Sequence, residues 1–222
     1  MIETHDKDYY RQLITNCDRE WKCFKADLRN GDLHKVNVNG ENRILKKVKY
    51  EDYKRALQNQ EIILRICEKC PARVVKYFSF DVFDNKAYIL MEYAENGDLL
   101  HWLRNINRVP PIELALHFFE QFIEAVKDTQ ELGINHRDLK SLNAVFDKDW
   151  NLKLIDFGGS KIADINDSQS TFICTPAYAA PEKLRYEPFD FSADIWSLGC
   201  VAYELFTRLS AFQHPAHLPT SG

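Results

Sequence analysis

No stretch of this chain is long and apolar enough to cross a bilayer. The most apolar segment, IWSLGCVAYELF (195–206), is too short and carries Glu204, so it reads as a buried helix. The opening residues, MIETHDKDYY, place no apolar run after a basic one, which predicts no secretory leader and a cytoplasmic or nuclear protein. A dominant charge is also missing. A net charge of −4 leaves no footprint for nucleic acid or for an acidic membrane surface, so neither is expected as a partner. Cys67 and Cys70 in CEKC have metal-ligand spacing, but no second CxxC or HxxxH accompanies them. The cysteines (17, 23, 67, 70, 174, 200) therefore read as reduced thiols rather than as a zinc site or a disulfide frame. Internal repeats and low-complexity tracts are absent.

What remains is an ordinary globular composition, 45% hydrophobic and 28% charged over 222 residues, enough for one domain or two small lobes. The first hundred residues mix short strands with one helix. HKVNVNG (34–40) and RILKKVKY (43–50) form a hairpin that turns at Asn39-Gly40. EDYKRALQNQEIILRICEKC (51–70) is helical and stops at Pro71. Two strands follow, RVVKYFSFDVF and KAYILMEYA, with Asp84-Asn85 at the turn between them. After Gly97 the pattern becomes helical: DLLHWLRNI, then PIELALHFFEQFIEAVKDTQELG. In the latter Leu116, Phe119, Ile123 and Val126 give one apolar face, and Gly133 is a C-terminal stop. The reading is an α+β fold with a small β-rich front, a mainly helical back and a ligand cleft between them.

The segment HRDLKSLNAVFDKDWNLKLIDFGG (136–159) sets Asp138, Asn143 and Asp156 in short loops bracketed by apolar strands. Moving a phosphoryl group from a nucleotide to a hydroxyl requires little covalent work from a protein. It requires a carboxylate to take the hydroxyl proton, oxygen ligands for Mg²⁺ and a nearby cation. Asp138 suits the first role, Asn143 and Asp156 the second, and Lys140 the third.

At these residues the chain resembles the eukaryotic protein kinases. HRDLKSLN is similar to their catalytic loop, DFG (156–158) and APE (180–182) to the two ends of their activation segment, and DIWSLG (194–199) to the start of their large buried helix. The four motifs stand in family order and spacing, covering roughly residues 14–212. The resemblance implies a bilobal fold: an extension at 1–13, an N-lobe and hinge at 14–95, a partial C-lobe at 96–212 and a tail at 213–222. It implies Asp138 as catalytic base and Asn143 and Asp156 as Mg ligands, with ATP as phosphoryl donor. Met91 is the gatekeeper, the backbone of Glu92 and Ala94 meets adenine, Asp98 meets the ribose, and Val145 floors the pocket. Lys140 and Thr175 point to a Ser/Thr acceptor on a protein substrate. Some features resemble the NimA-related and monopolar-spindle kinases.

Three features depart from the family. Its Gly-rich loop should lie within ITNCDREWKCFKA (14–26), which holds no glycine and carries Asp18 and Glu20, so the grip on phosphate should be weaker. The strand lysine is Lys46, with Lys47 one residue out of register, and Ile44 stands where a small alanine is usual. On the helix, Glu61 or Gln60 would meet that lysine. The chain ends in QHPAHLPTSG, without the helices that follow in the family, which predicts an unpaired Glu182 and an apolar C-lobe surface for a protein partner to cover. The competing reading is a pseudokinase-like interaction module with weak or no phosphotransfer. Arg137 could pair with a phosphate at Ser168, Ser170 or Thr171. Phosphorylation there is expected to raise activity, and a Ser168, Ser170 and Thr171 triple alanine variant should lose that rise in a kinase assay.

Overall fold

Two hairpins with left-handed turns begin the architecture. The computed structural model describes residues 3–16, 32–49, 53–69, 72–162 and 175–212. Strands β1 (Asp32–Val38) and β2 (Glu41–Lys49) join through Asn39 and Gly40, both at positive φ, and the Gly40 N–H donates to Asn37 Oδ1. Strands β3 (Tyr77–Phe83) and β4 (Lys86–Glu92) join through Asp84 and Asn85, again both at positive φ. Paired positive-φ residues match the right-handed twist of flanking strands, which is why Asn, Asp and Gly mark these turns. The four strands form one antiparallel sheet in the order β1-β2-β4-β3.

Strand alternation gives this sheet two different faces. Leu45, Val36, Val38, Tyr88 and Leu90 belong to one apolar cluster, while Ile44, Val48, Ile89 and Met91 belong to another. Lys46 shares the second face and is buried, whereas Lys47 stays near Asp32 at 3.6 Å. Helix α1 (Lys7–Thr15), capped by Asp6 Oδ1 accepting from Tyr9 N, covers the first face. Residues 3–16 thus fold onto the sheet, with Glu3 N–H bonded to the Phe78 carbonyl at 2.8 Å. The glycine-free stretch 14–26 begins inside this helix, at Ile14 and Thr15; residues 17–26 lie outside the described residues.

Helix α2 (Tyr53–Lys69) packs on the second face through Ile62, Ile63 and Ile66. The back of the molecule holds α3 (Leu99–Asn105), α4 (Ile112–Glu131) and α6 (Ser192–Thr207), with a short α5 (Pro181–Leu184). Small hairpins β6 (Ala144–Phe146)–β7 (Leu152–Leu154) and β5 (Ile134–Asn135)–β8 (Lys161–Ile162) lie between the two parts. Gly133, at φ 72, closes α4 with its N–H on the Gln130 carbonyl. The buried face of α4 differs from the expected one. Phe118, Phe122, Ala125 and Val126 turn inward with Gln121 and Thr129, while Leu116 and Ile123 are exposed. Gln121 is drawn in because its amide oxygen accepts from Arg73 and from the Leu152 N–H, a demand no hydrophobic pattern registers. No helix among the described residues is long and apolar enough to cross a membrane.

Tyr10 joins α1 to the sheet. It is fully buried, its hydroxyl lies 2.5 Å from Asp81 Oδ2 and 2.7 Å from Ser79 Oγ, and burial together with Asp81 pushes its pKa far above the ordinary tyrosine value. A Tyr10→Phe variant should lose about 1–3 kcal/mol, because buried Ser79 and half-buried Asp81 each lose a hydrogen bond. Urea unfolding of the two proteins measures this difference.

Candidate active site

The loop 136–143 is hung from α6 by one carboxylate. Asp194, in the first turn of α6, accepts the His136 N–H on Oδ2 and the Arg137 N–H on Oδ1, both at 2.8 Å. Two consecutive N–H groups thus converge on one side chain, and Arg137 takes the left-handed conformation, φ 70. Burial raises the Asp194 pKa, while His136, the two N–H donors and Lys183 act against that rise. His136 Nε2 sits 3.1 Å from the Ile155 carbonyl and its ring packs on Phe157 at 4.8 Å. The backbone is thereby set immediately before Asp138.

Around Asp138 three polar side chains close a triangle. Lys140 Nζ donates to Asp138 Oδ2 at 2.7 Å and to Thr175 Oγ1 at 2.8 Å, and Thr175 Oγ1 donates to Asp138 Oδ1 at 3.0 Å. Asn143 Nδ2 donates to the Asp138 carbonyl at 2.8 Å. Because that nitrogen is committed, the amide oxygen is the atom Asn143 can offer a cation. The Asn143 carbonyl in turn accepts the Ile155 N–H at 3.0 Å, tying it beside Asp156.

Asp156 stands at φ 69, ψ 65, the left-handed region, with Phe157 buried behind it. Its Oδ1 pairs with Lys46 Nζ at 2.6 Å across 110 residues of sequence, both side chains nearly sealed from solvent. An amide oxygen and one carboxylate form a hard donor set that suits Mg²⁺, which keeps waters and shares phosphate oxygens instead of demanding a full protein cage. No cluster of three or more His, Cys, Asp or Glu able to hold a metal occurs among the described residues. Cys67 has its Sγ 3.7 Å from the Tyr77 carbonyl, and Cys70 lies outside the described residues.

The apolar end of the cleft gathers Met91, Val145, Ile44 and Ala94 against one core cluster. Glu92 is held structurally: its N–H donates to the Lys76 carbonyl at 2.8 Å and its carboxylate takes the Lys76 N–H and Lys153 Nζ. The Ala94 carbonyl accepts the Gly97 N–H at 3.4 Å. Asp98 caps α3, accepting from His101 N at 3.0 Å with the imidazole Nδ1 2.8 Å from Oδ2. That carboxylate already has two partners besides any ribose.

The helix partner expected for Lys46 is placed elsewhere. Glu61 bridges Arg65 at 3.0 Å on the solvent side of α2, and Gln60 Nε2 lies 3.4 Å from the Phe80 carbonyl. The buried polar residue of α2 facing the loop is Asn59, bonded to the Gly158 carbonyl at 3.2 Å. The reason is helix phase, set by the three isoleucines rather than by the acidic residue. Arg137 lies over the Phe189 ring at 4.6 Å, and Lys183 Nζ donates to the Arg137 carbonyl. The proposed phosphosites Ser168, Ser170 and Thr171 lie outside the described residues. Among the described residues Glu182 makes no side-chain hydrogen bond or ion pair, and Ile195, Trp196 and Tyr203 of α6 are exposed. Glu204 was visible only as an oddity in an apolar run. It accepts from Tyr178 Oη at 2.7 Å and from Ser141 Oγ, so the loop and the segment after Thr175 share one buried acid.

Comparison with known proteins agrees with this arrangement. Residues 34–220 match the protein kinase domain family, and the chain belongs to it. It is 34% identical to serine/threonine-protein kinase Nek8 of Danio rerio over 79% of this chain and 26% of that protein. It is 40% identical to testis-specific serine/threonine-protein kinase 1 of Mus musculus over 59% of this chain and 37% of that protein. Serine/threonine-protein kinase nekl-2 of Caenorhabditis elegans is 35% identical over 63% of this chain and 42% of that protein. The chain spans less than half the length of each of these relatives.

An Asp194→Asn variant tests the suspension of the loop. Its amide offers one acceptor where two are needed and turns an N–H₂ toward a backbone N–H. A loss of about 1–3 kcal/mol is expected, with faster hydrogen exchange at the amides of His136 and Arg137.

Proposed function

We propose that this chain is a Ser/Thr protein kinase that transfers the ATP γ-phosphoryl group to a hydroxyl of a protein substrate. The observation that carries this reading is the closed triangle of Asp138, Lys140 and Thr175. Asp138 takes the proton of the acceptor hydroxyl as its oxygen attacks phosphorus, and the bridging oxygen leaves with ADP. Lys140 places its charge beside the transferring phosphoryl and holds Asp138 in one rotamer. Thr175 ties the activation segment to the proton acceptor, so the acceptor side chain is presented where the base stands.

Asn143 and Asp156 would hold Mg²⁺, which neutralises charge on the phosphates when bound. Lys46 would turn toward the same phosphates. Met91, Val145 and Ile44 would enclose adenine, with Glu92 and Ala94 contributing backbone groups. Asp98 would reach the ribose only by sharing its carboxylate with His101. A protein partner would cover the exposed Ile195, Trp196 and Tyr203.

One observation favours a second reading, a nucleotide-binding interaction module. The stretch 14–26 has no glycine to bring backbone N–H groups against phosphate. The two readings separate on incubation with labelled ATP, Mg²⁺ and a generic Ser/Thr substrate. The kinase reading expects label, reduced about 10²–10⁴-fold in a folded Asp138→Asn variant. A folded wild-type chain that binds ATP and transfers none of it would establish the module instead.

A further inference from the structure

Helix α2 presents an uncharged amide to the metal-binding loop. Asn59 is 4% exposed and its Nδ2 donates to the Gly158 carbonyl at 3.2 Å. Ile62, Ile63 and Ile66, none more than 3% exposed, set the roll of the helix. At about 100° per residue, Asn59 falls inside the arc that those isoleucines span, and Glu61 falls about 200° away. An amide in an isoleucine stripe adds nothing to packing, and a buried polar group persists where its hydrogen bond holds something.

The loop it holds is one that needs holding. Asp156 carries a Cβ in the left-handed region at φ 69, where non-glycine residues stay only if their surroundings enforce it. Its Oδ1 lies 2.6 Å from Lys46 Nζ and 3.2 Å from where a Cβ on Gly158 would stand. The Asp156 carboxylate therefore rests against the Gly158 backbone, and the Gly158 carbonyl is tied to α2.

We infer that Asn59 is a positioning residue for the metal-binding loop. By fixing the Gly158 carbonyl it holds Asp156 in its left-handed turn and sets how that carboxylate meets Mg²⁺. The inference rests on the reading of Asp156 as a metal ligand. It also ties metal affinity to the roll of α2, since any rotation of the helix about its axis carries Asn59 away from Gly158.

Asn59→Ile continues the apolar stripe and is expected to fold with an unchanged or higher melting temperature. The Mg²⁺ concentration for half-maximal phosphotransfer should rise about five- to tenfold, the effect of one partly buried hydrogen bond, with KM for the protein substrate unchanged. Hydrogen exchange on the nucleotide-free protein provides a second readout that needs no activity. The amides of residues 156–160 should exchange faster in the variant, while those of 136–143 should not. If the wild-type chain transfers no phosphoryl, the exchange result still decides the role of Asn59, so the two failures are distinguishable. Should Asn59→Ile fail to fold, Asn59→Ala carries the same expectations. Unchanged exchange at 156–160 in a folded variant would overturn the inference.

Discussion

A single buried carboxylate determines where the chemistry of the cleft can happen. Asp194 is 1% exposed and accepts two consecutive backbone N–H groups, the second from Arg137, which stands in the left-handed region. Charge-assisted bonds of this kind are about twice as strong as neutral ones, enough to offset the strain of a non-glycine residue at positive φ. Asp138 follows directly and inherits its direction from that turn. The same helix supplies Ser197 Oγ to the Tyr178 carbonyl at 2.8 Å and Glu204 to Tyr178 and Ser141. Positions 194, 197, 201 and 204 share one face of α6, with Val201 buried between the polar three. One helix thus anchors both the loop that carries Asp138 and the segment after Thr175.

The other half of the site is held by a bond between the lobes. Lys46 comes from the sheet and Asp156 from the loop after β7, and their ion pair is nearly dry. A buried pair costs desolvation on both sides, so it is weak evidence for stability. Here its effect is on position: it closes the sheet onto the loop and leaves Asp156 neutralised by a protein cation. Under the proposed function, a metal at this carboxylate would share it with Lys46 or draw the ammonium away toward phosphate, which would couple nucleotide and metal binding.

Local chemistry made much of this legible in the sequence. Turns at Asn39-Gly40 and Asp84-Asn85, the stop at Gly133 and the motif order around Asp138 and Asp156 each depend on a few neighbouring residues. Alternation puts Lys46 and Lys47 on opposite faces, and the structure buries Lys46. What failed was phase. Helix α2 was read from its acidic residue, yet Ile62, Ile63 and Ile66 decide its roll and bring Asn59 inward. Helix α4 was read from Leu116 and Ile123, yet long-range bonds to Gln121 turn those two outward. The partners of Glu92, Lys76 and Lys153, were equally invisible, because hydrogen bonds between residues distant in sequence leave no periodic trace.

The docking of α1 shows how far such distant contacts reach. Strand β2 carries Leu45 toward the aromatic cluster of Tyr10 and Tyr88, and Ile44, Lys46 and Val48 toward α2 and the cleft. Because side chains alternate, a slip of one residue in β2 would exchange these sets and point Lys46 away from Asp156. A large apolar face on the α1 side opposes that slip, for it would bury a lysine under Tyr10. Tyr10 and Tyr88 stack at 5.0 Å, and the guanidinium of Arg43 covers Phe78 at 3.8 Å, so that face is closely filled. The N-terminal helix packs on the sheet face opposite Lys46, yet it helps hold the register on which the Lys46–Asp156 pair depends.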